Sequence, residues 1–244
     1  MRPSIARPPR FALARRGGPR VTLTSDQGWD IDIFVLEPDI VRVLHTPPGG
    51  LTGPRTWAIA PGQDDAPALG RDRHDASGFS HPDYQVEETG RTLIVATDWL
   101  RLTVALDGPF CAWEMKTNDG WRPIARDRPT QAYNFGWWTE GPRHYLARDP
   151  AERYFGLGEK SGPLDRAGRR LRMSNTDALG YDARSSDPLY KHIPFYITHH
   201  ADTGLAFGLF YDTYADCAFD LGAERSNYHG LYRSFSAEAG DLDY

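Results

Sequence analysis

Apolar and polar residues alternate along this chain in short runs of period two, and turn-forming residues separate the runs. The clearest runs cover residues 21–24, 30–36, 40–44, 84–87, 92–96 and 100–106. In extended chain successive side chains point to opposite faces, so this alternation predicts half-buried strands. Leu100, Leu102, Val104 and Leu106 would then share one face. Pro38-Asp39, Asp107-Gly108-Pro109 and Asn118-Asp119-Gly120 lie between apolar segments and read as tight connections. No window carries the i, i+3, i+4, i+7 stripe of an amphipathic helix. Short strands with turns between them predict an all-β chain, a sandwich or a barrel.

Two stretches break the pattern. Residues 46–80 are rich in Pro, Gly and Asp and lack periodicity, which predicts a long surface loop or flexible insertion. Arg7, Arg10, Arg15, Arg16 and Arg20 cluster near the start but Pro and Gly interrupt them, so residues 1–20 read as a loose N-terminal segment. The part from about Tyr154 onward is denser in Gly and aromatics but keeps the strand-and-turn grain. Residues 21–244 are therefore expected to form one domain, a size that can bury a substantial core.

Charge narrows the partners. Lys+Arg 28 against Asp+Glu 33 gives a net charge of −5, which leaves no cationic surplus to displace counterions from nucleic acid. No apolar run approaches the roughly 20 residues that span a bilayer, so no membrane partner is expected. The first twenty residues lack the apolar core of a secretory signal, and the cytoplasm is the expected compartment. Cys111 and Cys217 sit far apart in apolar company and read as free buried thiols.

Glu159, Asp165, Asp177, Asp182 and Asp187 are the carboxylates that invite a catalytic reading. Paired-carboxylate catalysis needs two carboxyl groups within a few ångströms of one reacting bond, and separate turns do not bring these together in sequence. Asp165 and Asp187 read as turn caps, and Glu159 as a structural ion pair with Lys160 or Arg169. Adjacent His199 and His200 point opposite ways in a strand, and His74 and His81 lie in the acidic loop with Asp64, Asp65, Asp72, Asp75 and Asp83. No metal-ligand spacing is present and no metal site is expected. Gly156-Leu157-Gly158 precedes no helix and makes no phosphate cradle. Trp137, Trp138, Tyr181, Tyr190 and Tyr228 offer flat faces to a pyranose, although packing is the expected role of most aromatics.

Several blocks then occur in a fixed order: Arg153-Tyr-Phe-Gly-Leu-Gly-Glu-Lys160, Leu164-Asp165, Gly168-Arg169, Asn175-Thr-Asp-Ala178, the run from Asp187 to Ile197, and the run from Gly204 to Asp212. Together they resemble the N-terminal domain of glycoside hydrolase family 31, the α-glucosidase and α-xylosidase family. Lys191-His192 and Tyr211-Asp-Thr213 depart from its commoner forms and bear on sub-specificity. The resemblance implies a twisted antiparallel β-sandwich of the galactose-mutarotase-like type. It also implies a following (β/α)8 barrel, absent from this chain, that carries an aspartate nucleophile and an aspartate acid/base, so that no catalytic residue lies among these residues. Asp177 matches a loop carboxylate that reaches over the barrel mouth to sugar hydroxyls, with Tyr181 beside it; a plain Asx-turn is the alternative for Asp177. No cofactor is implied.

The function so implied is the pocket-shaping domain of a retaining α-glycosidase, most simply an α-glucosidase of carbohydrate metabolism, inactive by itself. Its partners would be an α-linked glucoside and its own barrel. Residues 241–244 still alternate without a polar tail, so an apolar face left for the barrel and a tendency to oligomerise are expected. Two alternatives stand beside this: a self-standing carbohydrate-binding module, and an aldose-epimerase-like protein using Glu159 and His192 as base and acid.

Overall fold

A computed structural model describes residues 8–59, 70–136, 140–224 and 228–244. Among these residues the chain is all β, with no helix. The strands are β1(Phe11–Gly17), β2(Arg20–Ser25), β3(Asp30–Glu37), β4(Ile40–Thr46), β5(Gln85–Thr89), β6(Thr92–Ala96), β7(Leu100–Ala105), β8(Cys111–Thr117) and β9(Gly120–Arg126). They continue with β10(Tyr133–Phe135), β11(Pro142–Ala147), β12(Glu152–Gly156), β13(Arg170–Met173), β14(Phe195–His200), β15(Ala206–Phe210), β16(Cys217–Asp220), β17(Tyr232–Ala237) and β18(Leu242–Asp243). The chain divides into two compact units, residues 1–51 with 74–123 and residues 52–73 with 124–244.

In the first unit β1, β2, β3 and β4 follow one another as antiparallel neighbours, and β5 to β9 form a second sheet in chain order. Alternation does the work anticipated for it: Leu93, Val95, Leu102, Val104 and Leu106 are buried while the residues between them are not. Strand β3 is buried on both faces, because Phe34, Leu36 and Leu44 are covered by Ala76 together with Leu51 and Phe79. The segment expected to be loose contains β1, whose Phe11 is buried and whose register with β2 runs from Phe11 opposite Ser25 to Gly17 opposite Arg20. Arg15 and Arg16 are exposed positions of β1, so for the described part of the segment the arginines report the solvent face of a strand.

The second unit holds a five-stranded sheet, β10-β11-β17-β16-β13, and a three-stranded sheet, β12-β14-β15, both antiparallel. Its core is aromatic. Tyr211 stacks on Phe235 with centroids 3.9 Å apart, and Tyr196 meets Tyr154 and Phe219 edge-on at 6.0 and 5.6 Å. The polar tips of these rings are satisfied internally. His144 Nε2 lies 2.9 Å from Asp127 Oδ1 and Nδ1 lies 2.9 Å from the Tyr211 hydroxyl. The carboxylate can only accept, so Nε2–H donates to it, and in the neutral ring Nδ1 accepts from the tyrosine hydroxyl.

The loop over 46–80 has no strand among its described residues, yet it is not a solvated insertion. Arg55, Thr56 and Arg73 are buried. Within the second unit Arg73 Nη1 lies 2.6 Å from Asp243 and 3.3 Å from Asp212, and its Nε lies 3.3 Å from Asp241. The Asp212 carboxyl also accepts the Thr56 amide at 3.1 and 3.2 Å, and Asp241 accepts the Thr52 amide and hydroxyl at 3.0 Å. Burial raises the Asp212 pKa, and the neighbouring Asp243 charge adds to it.

Candidate functional site

The segment 174–187 leaves β13 and travels without strand structure toward β14, carrying Asp177, Tyr181, Asp182 and Asp187. Its feet are fixed. Arg172, at the end of β13, donates its amide to Asp187 Oδ2 at 2.7 Å. Lys160 inserts between them with a side chain that is 0% exposed, its Nζ 3.3 Å from Asp187 Oδ1 and bonded to the Arg172 carbonyl. Burial lowers the Lys160 pKa, against which the Asp187 carboxylate works. The returning limb is held as well: Ser161 Oγ donates to the Ser186 carbonyl at 2.5 Å and the Gly162 amide donates to Ala183 O at 2.9 Å.

Within the loop Asp182 is a local cap. Its Oδ1 accepts the Arg184 and Ser185 amides at 2.8 and 3.0 Å and the Ser185 hydroxyl at 3.0 Å, and these bonds lower its pKa. Tyr190 donates its hydroxyl to the Ala178 carbonyl at 3.2 Å and meets the Tyr181 ring edge-on at 6.1 Å. Tyr181 is 52% exposed. Asp177 is exposed, and no bond joins its carboxylate to the described residues. A carboxylate held on a braced loop and left without a protein donor has its full capacity to accept hydroxyl groups.

The remaining sequence candidates separate from this loop. Asp165 caps the amides of Ala167 at 3.0 Å and Tyr154 at 3.1 Å, as a turn carboxylate should. Asp187 ties strand β13 to the loop instead of capping its own turn. Glu159 makes none of the anticipated ion pairs. It is exposed, whereas Lys160 pairs with Asp187 and Arg169 bonds the Ser161 carbonyl. The strand pattern breaks just before them, where Gly156 adopts φ +121 and a side chain there would sit 2.8 Å from the Phe195 carbonyl. Leu157 and Gly158 also have positive φ; Leu157 is buried with its amide donated to Phe195 O at 2.8 Å, and beyond this irregular turn Lys160 is buried and Glu159 exposed. The Gly156-Leu157-Gly158 run is thus a strand closure. His192 Nε2 bonds the Ala215 carbonyl at 3.0 Å, which takes that nitrogen away from acid or base work.

His74 lies 3.2 Å from Asp32 and His81 bonds the Ala76 carbonyl at 2.5 Å, so the loop histidines serve the first unit's own structure. His200 Nε2 bonds the Ile124 carbonyl at 2.8 Å. Tyr228 is 89% exposed and edge-on to His229. Trp137, Trp138, Asp64 and Asp65 lie outside the described residues. Sequence reasoning missed Lys160 and Tyr190 as the supports of the loop, because their partners lie 27 and 12 residues away; the only available signal was the lysine in the Gly-Glu-Lys run.

The family model described as the glycosyl hydrolase 31 N-terminal galactose mutarotase-like domain matches residues 30–220. The chain is 36% identical over 96 residues to alpha-glucosidase 2 of Bacillus thermoamyloliquefaciens, covering 39% of this chain and 11% of that protein. It is 41% identical over 76 residues to an alpha-glucosidase of Saccharolobus solfataricus, covering 31% of this chain and 10% of that protein. The matched stretches are thus about a tenth of the curated relatives' length. Among solved structures, the GH31 dextranase of Flavobacterium johnsoniae, complexed with glucose, superposes with a TM-score of 0.73 at 23% identity. That superposition covers 98% of this chain and 26% of the dextranase.

Proposed function

Because the chain belongs to the glycosyl hydrolase 31 N-terminal galactose mutarotase-like domain family, we propose that it is the pocket-shaping part of a retaining α-glycosidase, in the first instance an α-glucosidase. The relatives that match it are glycoside hydrolases several times longer than the matched region. In this reading a (β/α)8 barrel supplies an aspartate nucleophile and an aspartate acid/base, and the present chain supplies neither. Its sheets are read as the twisted antiparallel sandwich of the galactose-mutarotase-like type, an architecture supported by four antiparallel sheets and the absence of helix among the described residues.

The observation that carries the proposal is Asp177: an exposed carboxylate with no bond to the other described residues, on a loop whose two feet are bonded shut. It is read as accepting hydroxyl protons from an α-linked sugar, with the exposed Tyr181 ring beside it. Further support comes from the outward side of β14, where Phe195 and Ile197 are 39% and 40% exposed next to Phe210 of β15. An apolar row of this kind is the surface expected where a neighbouring domain, or a second copy, packs.

The test is direct. Purified chain should not turn over nitrophenyl α-glucoside or α-xyloside, while the full-length polypeptide should, with retention of anomeric configuration. Turnover by the chain alone overturns the proposal. The second reading, a self-standing carbohydrate-binding module, draws on the exposed rings of Tyr181 and Tyr228. Calorimetric titration of the chain with glucose, maltose and xylose separates the two, since tight binding without the barrel favours the module.

A further inference from the structure

Taking Asp177 as a sugar contact, which is the reading on which this rests, we propose that Lys160 is a positioning residue for that contact, acting through the closure of the loop that carries it. Lys160 lies in a segment that touches both limbs. Its ammonium bonds the carbonyl of Arg172 on the outgoing limb and the carboxylate of Asp187 on the returning one. Arg172 N and Asp187 Oδ2 complete the triangle at 2.7 Å. The adjacent Ser161 and Gly162 then bond Ser186 and Ala183. Four consecutive contacts from one short stretch therefore hold the two ends of a loop whose feet are 15 residues apart in sequence.

The chemistry of the clasp selects lysine. Two acceptors of different kinds, a peptide oxygen and a carboxylate, converge on the buried Lys160 ammonium. A compact ammonium has three rotatable donors and meets both, whereas the planar fork of arginine needs more room and a flatter pair of acceptors. An apolar replacement leaves the Arg172 carbonyl and the Asp187 charge without their donor in a buried place. Asp177 itself has no bond within the described protein that fixes its carboxylate, so its placement depends on the loop backbone and hence on the feet. Tyr190, bonding Ala178 O, braces the crown next to it. Loosening the feet increases the number of loop conformers and dilutes the one that presents Asp177 to the sugar.

The experiment is a double-mutant cycle in the full-length polypeptide with Asp177→Ala, Lys160→Met and the pair, read as kcat and KM on an α-glycoside and as Tm. Asp177→Ala should lower kcat/KM about 10- to 100-fold, the range for losing hydrogen bonds to a charged group. Lys160→Met should lower kcat/KM by about 10-fold through KM, and by less than about 2-fold when Asp177 is already alanine. Its effect on Tm should be the same in both backgrounds, which separates positioning from simple destabilisation. If Lys160→Met does not accumulate as folded protein, Asp187→Asn weakens the same clasp more mildly and should show the same dependence on Asp177. Full multiplication of the two losses, or an unchanged kcat/KM in Lys160→Met, overturns the positioning role. An unchanged kcat/KM in Asp177→Ala alone overturns the underlying sugar contact, and the positioning role with it.

Discussion

Replacing Arg233 by methionine is expected to be one of the costliest single changes in the chain. Arg233 lies on β17 with its side chain 0% exposed. Its guanidinium donates to Glu152 Oε2 at 2.5 Å, to the Tyr196 hydroxyl at 3.1 Å and to the Ala147 carbonyl at 3.2 Å. Burial penalises the cation, yet Tyr196, Glu152 and Tyr154 more than offset this and its pKa stands above the usual arginine value. Glu152 is buried too, and besides Arg233 it accepts the Tyr154 hydroxyl, with His200 Nε2 3.8 Å away. Methionine nearly matches the length and packing of the arginine stem, so the loss is mainly electrostatic: a buried carboxylate without its cation. Breaking a buried pair from one side costs about 3–5 kcal/mol, which for a chain of this size lowers Tm on the order of 10 °C. Urea denaturation of the chain, followed by circular dichroism, should show that loss. The double variant Glu152→Gln with Arg233→Met should be more stable than the sum of the single changes by at least about 2 kcal/mol, because no uncompensated charge remains. A loss below about 1 kcal/mol for Arg233→Met, or strict additivity in the cycle, refutes the reasoning.

Three further outcomes are expected. Burial raises the Asp212 pKa above the ordinary 3.8, so the folded state holds this proton more tightly than the unfolded state and the charged form is penalised as pH rises above that value; the advantage of wild type over Asp212→Asn in urea midpoint should therefore shrink from pH 4 toward pH 7, and growth of that advantage contradicts the assignment. Burial pushes the Cys217 thiol up to about 12, so it should resist Ellman's reagent at pH 8 until guanidinium unfolds the chain; rapid labelling of native Cys217 in a Cys111→Ser background would show that the site is open. The purified chain should gain mass with concentration in light scattering, and Phe195→Ser with Ile197→Ser should reduce that gain; a wild-type chain that stays monomeric at high concentration counts against the exposed row as a contact surface.

Strands were the most legible level. The runs read at 21–24, 30–36, 40–44, 92–96 and 100–106 fall on β2, β3, β4, β6 and β7; in β6 and β7 the period of two reports one buried face, whereas β3 is buried on both. Strand β1 escaped because Pro and the outward arginines outweighed Phe11 and Leu13. The burial of Arg55, Thr56 and Arg73 left no local mark, since the carboxylates bonded to Thr56 and Arg73 come 139 to 170 residues later. At the candidate site, Asp177 is singled out by the resemblance of Asn175-Thr-Asp-Ala178 to a family loop, not by periodicity, and the structure places it exposed on a strandless segment. The ion pair of Lys160 is not marked in this way. Positive φ at Gly156, Leu157 and Gly158 breaks the strand alternation that would say whether lysine or glutamate turns inward, and the partner chosen by Lys160 lies 27 residues on.

The bonds that secure Thr52, Thr56 and Arg73 also carry a consequence for biosynthesis. Thr52 must wait 189 residues for Asp241, and Arg73 must wait 170 for Asp243. While the ribosome is still making the intervening polypeptide, these donors lack their carboxylate partners, although Arg73 Nε can already reach the Gly53 carbonyl, and ordering the full network early would cost entropy with little gained. Consolidation of this region is thus deferred until nearly all of these 244 residues have emerged, which makes nascent chains stalled upstream of Asp241 the species most exposed to proteases and chaperones.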